Sequence, residues 1–147
     1  TQMGFMTIGH DKINQARHIK LLKNQEGVIR HMRKHADIIQ PRFTVVLKSL
    51  QSELGGLNCG EWLSAKGGYF ISFESLPGLA STIIAMAAEA GVKLTPAGSA
   101  FPYKRDPNNS NIRLAPTVPS IDEVGSAMGV FTTCVKLASV RHLLGAK

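Results

Sequence analysis

Arg113 carries the most distinctive chemistry in the sequence. The run Asn111-Ile112-Arg113-Leu114-Ala115-Pro116 sets one cation inside an otherwise apolar, strand-like stretch. In an extended chain successive side chains alternate faces, so Ile112 and Leu114 point one way and Asn111, Arg113 and Ala115 the other. One face suits a core and the other bears a charge. A guanidinium keeps its proton and presents its donors in a fixed fork. Held on a strand at the mouth of a cleft, it grips a carboxylate or a phosphate through two parallel hydrogen bonds. The same six residues also describe a surface arginine on a half-exposed strand, and taken alone they favour that plainer reading, because arginine is mostly exposed.

Other chemistry-bearing groups are weaker. His31 and His35 have the i, i+4 spacing that chelates a metal on one helix face, but Met32-Arg33-Lys34 lies between them and no third ligand is evident, so no metal site is expected. Gly67-Gly68 and Pro96-Ala97-Gly98-Ser99 lack the spacing of a phosphate-binding loop. Ser72 and Ser99 lie in no nucleophile elbow. Asp106, Asp122 and Glu123 fall in a turn and a helix cap, where local hydrogen bonding accounts for them. Cys59 and Cys134 are far apart and have no metal-ligand spacing, which points to reduced, packed thiols. Residue chemistry alone therefore offers an anion-binding arginine beside a glycine-containing loop, with no complete catalytic set.

The chain has 147 residues, 44% of them apolar, enough for one domain with a real core. No run approaches the roughly 18 consecutive apolar residues of a membrane span, so a soluble, cytoplasmic protein is expected. The formal charge of +7 attracts nucleic acid or anionic surfaces in principle. Much of it lies in Arg17, Lys20, Lys23, Arg30, Arg33, Lys34, Arg42 and Lys48. Only Phe43 interleaves with these cations, so a solvated helix face is preferred to a nucleic-acid stripe.

The elements that must position Arg113 follow from periodicity. Residues 1–10 are apolar and aperiodic, a segment suited to lying against something else. A first helix is expected from Asp11 as N-cap to about Lys23. A second starts near Gln25, with Val28, Met32, Ala36, Ile39, Phe43, Val46, Leu47, Leu50 and Leu54 forming one buried stripe. Pro41 predicts a kink or break inside it, and the unbroken phase of the stripe favours a kink. Gly55-Gly56 ends the helix.

Short strands are expected at Glu61–Ser64, Tyr69–Glu74 and Val92–Thr95, and a third helix over Leu79–Ala90 with Leu79, Ile83, Met86, Ala87 and Ala90 on its packed face. The loop 96–110 precedes the Arg113 strand, and loops of that length are usually functional or disordered. Ser120 and Glu123 form a capping box for a last helix burying Ile121, Val124, Met128, Phe131, Val135 and Ala138. Close packing of a neighbour is expected to compensate Gly125 and Gly129 within it. The order predicts an α+β fold, a small antiparallel or mixed sheet of three to four strands covered by helices on one face.

Three stretches together carry a family resemblance: Gly67-Gly68-Tyr69-Phe70, the segment from Gly91 to Phe101, and Asn111–Pro116. Their order resembles the C-terminal small domain of fold-type I pyridoxal-phosphate-dependent aminotransferases, which has a G-G-x-F strand, a V-x-x-x-P-G-x-x-F loop and an N-x-R-L strand. Here Ala97 intervenes between Pro96 and Gly98. The runs L-T-P-A-G-S-A-F-P-Y, N-I-R-L-A-P and C-V-K-L-A-S-V are most similar to a bacterial aspartate-aminotransferase-like branch, and the resemblance covers essentially the whole chain.

The resemblance implies that Arg113 binds the substrate's α-carboxylate, holding the Cα–H bond aligned for proton removal. It places Phe70 and Tyr69 on the substrate side of the cleft and gives Asn111 a supporting role. The family's Schiff-base lysine belongs to the larger domain, and no S-x-x-K or S-K stretch here stands for it. Residues 1–147 are thus expected to be one domain of a larger enzyme, with 1–10 as a linker or cut end towards the large domain. The whole enzyme is expected to transfer an amino group from aspartate or a similar amino acid to 2-oxoglutarate, with pyridoxal 5'-phosphate, as a homodimer. This chain alone is expected to be inactive and without cofactor. The competing readings are a basic nucleic-acid-binding module and the aminotransferase-like domain of a transcription regulator.

Overall fold

Four α-helices and three strands follow one another in the computed structural model, which describes residues 9–64 and 66–145. They are α1 (Lys12–Leu22), α2 (Gln25–Leu54), β1 (Gly60–Trp62), β2 (Ile71–Ser75), α3 (Ala80–Glu89), a 3₁₀ turn (Pro102–Lys104), β3 (Asn111–Leu114) and α4 (Ile121–Leu143). The expectation for residues 1–10 falls outside the described residues apart from Gly9 and His10. The chain divides into two compact units, one ending at Ile38 and one beginning at Ile39.

In the first unit the caps were legible. The Asp11 carboxylate accepts the Asn14 N–H at 2.9 Å, and the Asn24 side chain accepts the Gly27 N–H at 2.9 Å. The packing was not. Val28, Met32 and Ala36 are exposed, so the buried stripe of α2 does not extend over its first turns, and α1 has no buried residue. An amphipathic stripe is buried only where a second apolar surface meets it, and among the described residues none covers this one.

The second unit holds the core. Phe43, Val46, Leu50 and Leu54 of α2 are buried at three- and four-residue steps, and α2 runs through Pro41 as a single helix with no break. The sheet has the order β1-β2-β3 and is antiparallel throughout. Ile71 and Phe73 of β2 and Ile112 and Leu114 of β3 form its core face. They pack with Ala80, Ile83 and Ala87 of α3 and with Val124, Met128, Phe131, Val135 and Ala138 of α4 in one cluster. Phe73 meets Phe131 edge to face at 5.2 Å and stacks on Trp62 at 6.4 Å. Burying each large side chain contributes about 1.5–3 kcal/mol.

Several expectations are corrected. Val92–Thr95 is not a strand: Gly91 has φ 88°, and the Val92 N–H turns back to the Ala87 carbonyl at 2.8 Å, closing the end of α3 instead of joining a ladder. β2 begins at Ile71, so Tyr69 and Phe70 precede it, and β1 ends at Trp62. Ala80 replaces Ala90 on the packed face of α3. Ile121 is 44% exposed because the buried stripe of α4 starts a turn later, at Val124. A Cβ at Gly125 would touch Val45, as close packing requires, whereas one at Gly129 would meet nothing within 4 Å. No helix among the described residues is long and apolar enough to cross a membrane.

Candidate carboxylate-binding face

The face of the sheet opposite the core carries Ser72 and Glu74 from β2 and Asn111 and Arg113 from β3, because both strands alternate core and outer residues. Antiparallel pairing sets Ser72 opposite Arg113 and Glu74 opposite Asn111. The Arg113 guanidinium carbon lies 4.6 Å from the centre of the Phe70 ring, a cation–π contact. Its Nε is buried and has no hydrogen-bond partner among the described residues. A buried charged donor without an acceptor is costly, and an anionic ligand removes that cost.

Beside the arginine, the remaining polar groups satisfy one another. Asn111, buried, donates from Nδ2 to Ser72 Oγ at 2.8 Å and to Glu74 Oε1. Ser110 Oγ donates to Glu74 Oε2 at 2.9 Å. Asp106 closes the loop that feeds β3: Oδ2 accepts the Ser110 and Asn111 N–H groups, both at 2.8 Å, and Oδ1 accepts that of Asn108 at 3.0 Å. Burial pushes the Asp106 carboxyl up, but the backbone donors of Asn111, Ser110, Asn108 and Asn109 together outweigh it and hold the group below the usual carboxylate range.

Asn109 ties the same loop to α3. Its carbonyl accepts the Ala80 N–H at 2.8 Å and its Oδ1 the Ser81 N–H at 3.1 Å, capping a helix whose own N-cap, Leu79, has no side-chain bond to offer. Earlier in the loop, Gly98 has φ 76° and its Cα faces the Lys104 carbonyl so closely that a Cβ there would clash.

The structure thus brings Arg113, Phe70 and Asn111 together. Tyr69 is 58% exposed and makes no ring contact with Arg113. Glu74, Ser110 and Asn109 were missed by sequence reasoning. Glu74 was within reach of it, since alternation from Ser72 puts it on the outer face, but its partners depend on the β2–β3 register. An open cavity of about 350 Å³ lies at the β1 end of the sheet, among Leu54, Asn58, Trp62, Glu74 and Pro77, and does not include Arg113. The buried thiols of Cys59 and Cys134 are free, and desolvation pushes both upward. No group of three or more metal-ligating side chains occurs among the described residues.

With that geometry established, comparison with known proteins defines the class. A family model described as aspartate amino-transferase matches residues 1–147, and the chain belongs to that family. The aspartate aminotransferase of Corynebacterium glutamicum is 44% identical over 139 residues, which are 95% of this chain and 32% of the relative. The crystal structure of an aspartate transaminase from the same organism superposes with a TM-score of 0.88 at 43% identity, covering 96% of this chain and 33% of that one. A more distant structure shares the fold at TM-score 0.65 and 20% identity over 81% of this chain and 29% of its own: LysN, the α-aminoadipate aminotransferase of Thermus thermophilus, complexed with N-(5'-phosphopyridoxyl)-L-leucine. The chain spans about one third of the length of the relatives it matches.

Proposed function

We propose that this chain is the C-terminal, substrate-carboxylate-binding domain of a pyridoxal-phosphate-dependent aminotransferase. In this reading the whole enzyme moves the amino group of aspartate or a similar amino acid to 2-oxoglutarate, and works as a cytoplasmic homodimer. The observation that carries the reading is Arg113, held on a strand, stacked on Phe70 and left with a buried, unpartnered Nε. Family membership and the one-third span of the relatives support a larger polypeptide with a separate large domain.

The residues on this face fit a carboxylate, and none of them supplies a covalent anchor for the cofactor. The donor left open is the Arg113 guanidinium, since the Asn111 amide and the Ser110 hydroxyl already donate within the face, and none of Ser72, Glu74, Asn111 or Arg113 is the amine that would join an aldehyde. Covalent anchoring of the cofactor is therefore left to the rest of the enzyme, and no step through it is assigned to these residues. What Arg113 does is bind and orient. Two charge-assisted bonds from Arg113 fix the carboxylate, and the cation–π contact with Phe70 helps to hold the guanidinium that receives it.

The test is Arg113→Ala in the full-length enzyme. With charged hydrogen bonds worth about 1.5–3 kcal/mol each, kcat/KM falls roughly 10²–10⁴-fold while the cofactor stays bound, and Arg113→Lys recovers little because an ammonium lacks the fork. Near-normal kinetics would remove Arg113 from the site. An antibody to this domain is expected to detect a native polypeptide of about three times this length. A band at the size of this chain overturns the reading and directs work to nucleic-acid binding with its steep salt dependence.

A further inference from the structure

Arg113 has an acid for a neighbour and makes no ion pair with it. The registers Ser72↔Arg113 and Glu74↔Asn111 make Glu74 and Arg113 diagonal neighbours on the outer face of one antiparallel ladder, a spacing that two long side chains bridge readily. A glutamate is the natural partner of a guanidinium. Such a pair would also be the most direct competitor of any carboxylate arriving from solution, because it is intramolecular.

Glu74 is instead held elsewhere. Each of its carboxylate oxygens accepts a hydrogen bond, Oε1 from Asn111 Nδ2 and Oε2 from Ser110 Oγ. The restraint is itself braced. Asn111 Nδ2 is also anchored on Ser72 Oγ, and the backbone N–H groups of Ser110 and Asn111 both end on Asp106 Oδ2.

We propose that Asn111, helped by Ser110, is a positioning residue that sequesters the Glu74 carboxylate and so keeps Arg113 open for the carboxylate of the amino-acid or 2-oxo-acid substrate. The proposal rests on the reading of Arg113 given above. It assigns Asn111 no contact with substrate; its effect passes through Glu74. When Asn111 is lost, Glu74 turns to Arg113, and the apparent affinity for substrate drops by the fraction of molecules in which the arginine is occupied. The step after binding is untouched, so saturating substrate displaces Glu74 and restores turnover.

The experiment measures KM, kcat and thermal melting of the full-length enzyme carrying Asn111→Ala, Glu74→Gln, both together, and Arg113→Ala. Asn111→Ala is expected to raise KM for both substrates roughly 2- to 6-fold with kcat within about twofold. The decisive comparison is the double variant against Glu74→Gln alone: the two share one KM within about twofold, because Asn111 ceases to matter once its charge competitor is gone. A purely structural Asn111 gives a double variant at least as impaired as Asn111→Ala, and that result overturns the proposal. If Asn111→Ala does not fold, Ser110→Ala frees the other oxygen and shows a smaller rise in KM that Glu74→Gln also abolishes; no rise overturns the proposal. A crippled Arg113→Ala beside an unchanged Asn111→Ala sinks this inference alone, whereas a near-normal Arg113→Ala sinks the carboxylate reading beneath it.

Discussion

Asp106 commits its carboxylate to the backbone, and that choice sets an acid limit on the stability of the site. Its folded-state pKa lies below the ordinary aspartate value of about 3.9, so the group is ionised in both states at neutral pH. Its contribution is complete above the ordinary value and is lost as pH falls through the depressed one. Urea midpoints measured from pH 6 down to pH 2.5 should therefore show the gap between the wild type and Asp106→Asn narrowing below about pH 4. A gap that is constant with pH would show that the charge is immaterial. Glu123 is shifted the same way, by the Ser120 side chain and then its backbone N–H, so the acid limb holds a second contribution that Asp106→Asn leaves in place. The reactive side chains are a mixed case for sequence reading. Arg113 was legible because alternation alone isolates a cation on one face of a strand. Glu74 was passed over because its meaning lies in what stands across the ladder, and register is not visible in one strand.

At the level of elements, α3 depends on a residue far from it in sequence. Asn109 supplies both the carbonyl and the side-chain oxygen that receive the Ala80 and Ser81 N–H groups, and it does so at φ 45°. Asn109→Ala is expected to cost roughly 1–3 kcal/mol, about 1 from the lost cap and the rest from the left-handed backbone. Asn109→Gly, which removes the second cost, should recover part of it in denaturant titrations. Gly129 predicts the opposite sign: with open space where its Cβ would stand, Gly129→Ala should stabilise this chain by up to about 1 kcal/mol. The bounds of α1 and α2 and the start of α4 were legible to within a residue or two because Asp11, Gly55-Gly56 and the Ser120–Glu123 box are local signals. Val92–Thr95 misled because β-branched and apolar residues read as a strand, yet the hydrogen bond that decides it runs from the Val92 N–H to the Ala87 carbonyl. The exposed first turns of α2 misled because periodicity marks an apolar stripe without telling whether a partner for it is present.

For the molecule as a whole, stability is unevenly distributed. The apolar side chains Ile13, Ile19 and Leu21 are exposed and α1 buries nothing, whereas Phe73, Phe131, Leu50 and Ile83 are fully enclosed. An 11-residue helix without packing is marginal in water. In hydrogen exchange on this chain, α1 amides should exchange within the dead time while those of β2 and α4 stay protected, and α1 should gain protection in the longer polypeptide if a large domain covers it. Equal protection of α1 and β2 in the isolated chain would contradict this account. The stacking of Trp62 on Phe73, itself set against Phe131, has a practical consequence here. Trp62 is the only tryptophan in the chain, so indole fluorescence has a single source, seated on the hub of the core. Its emission reports the opening of the second unit, which turns one fluorophore into a gauge of the part of the molecule that holds Arg113 in place.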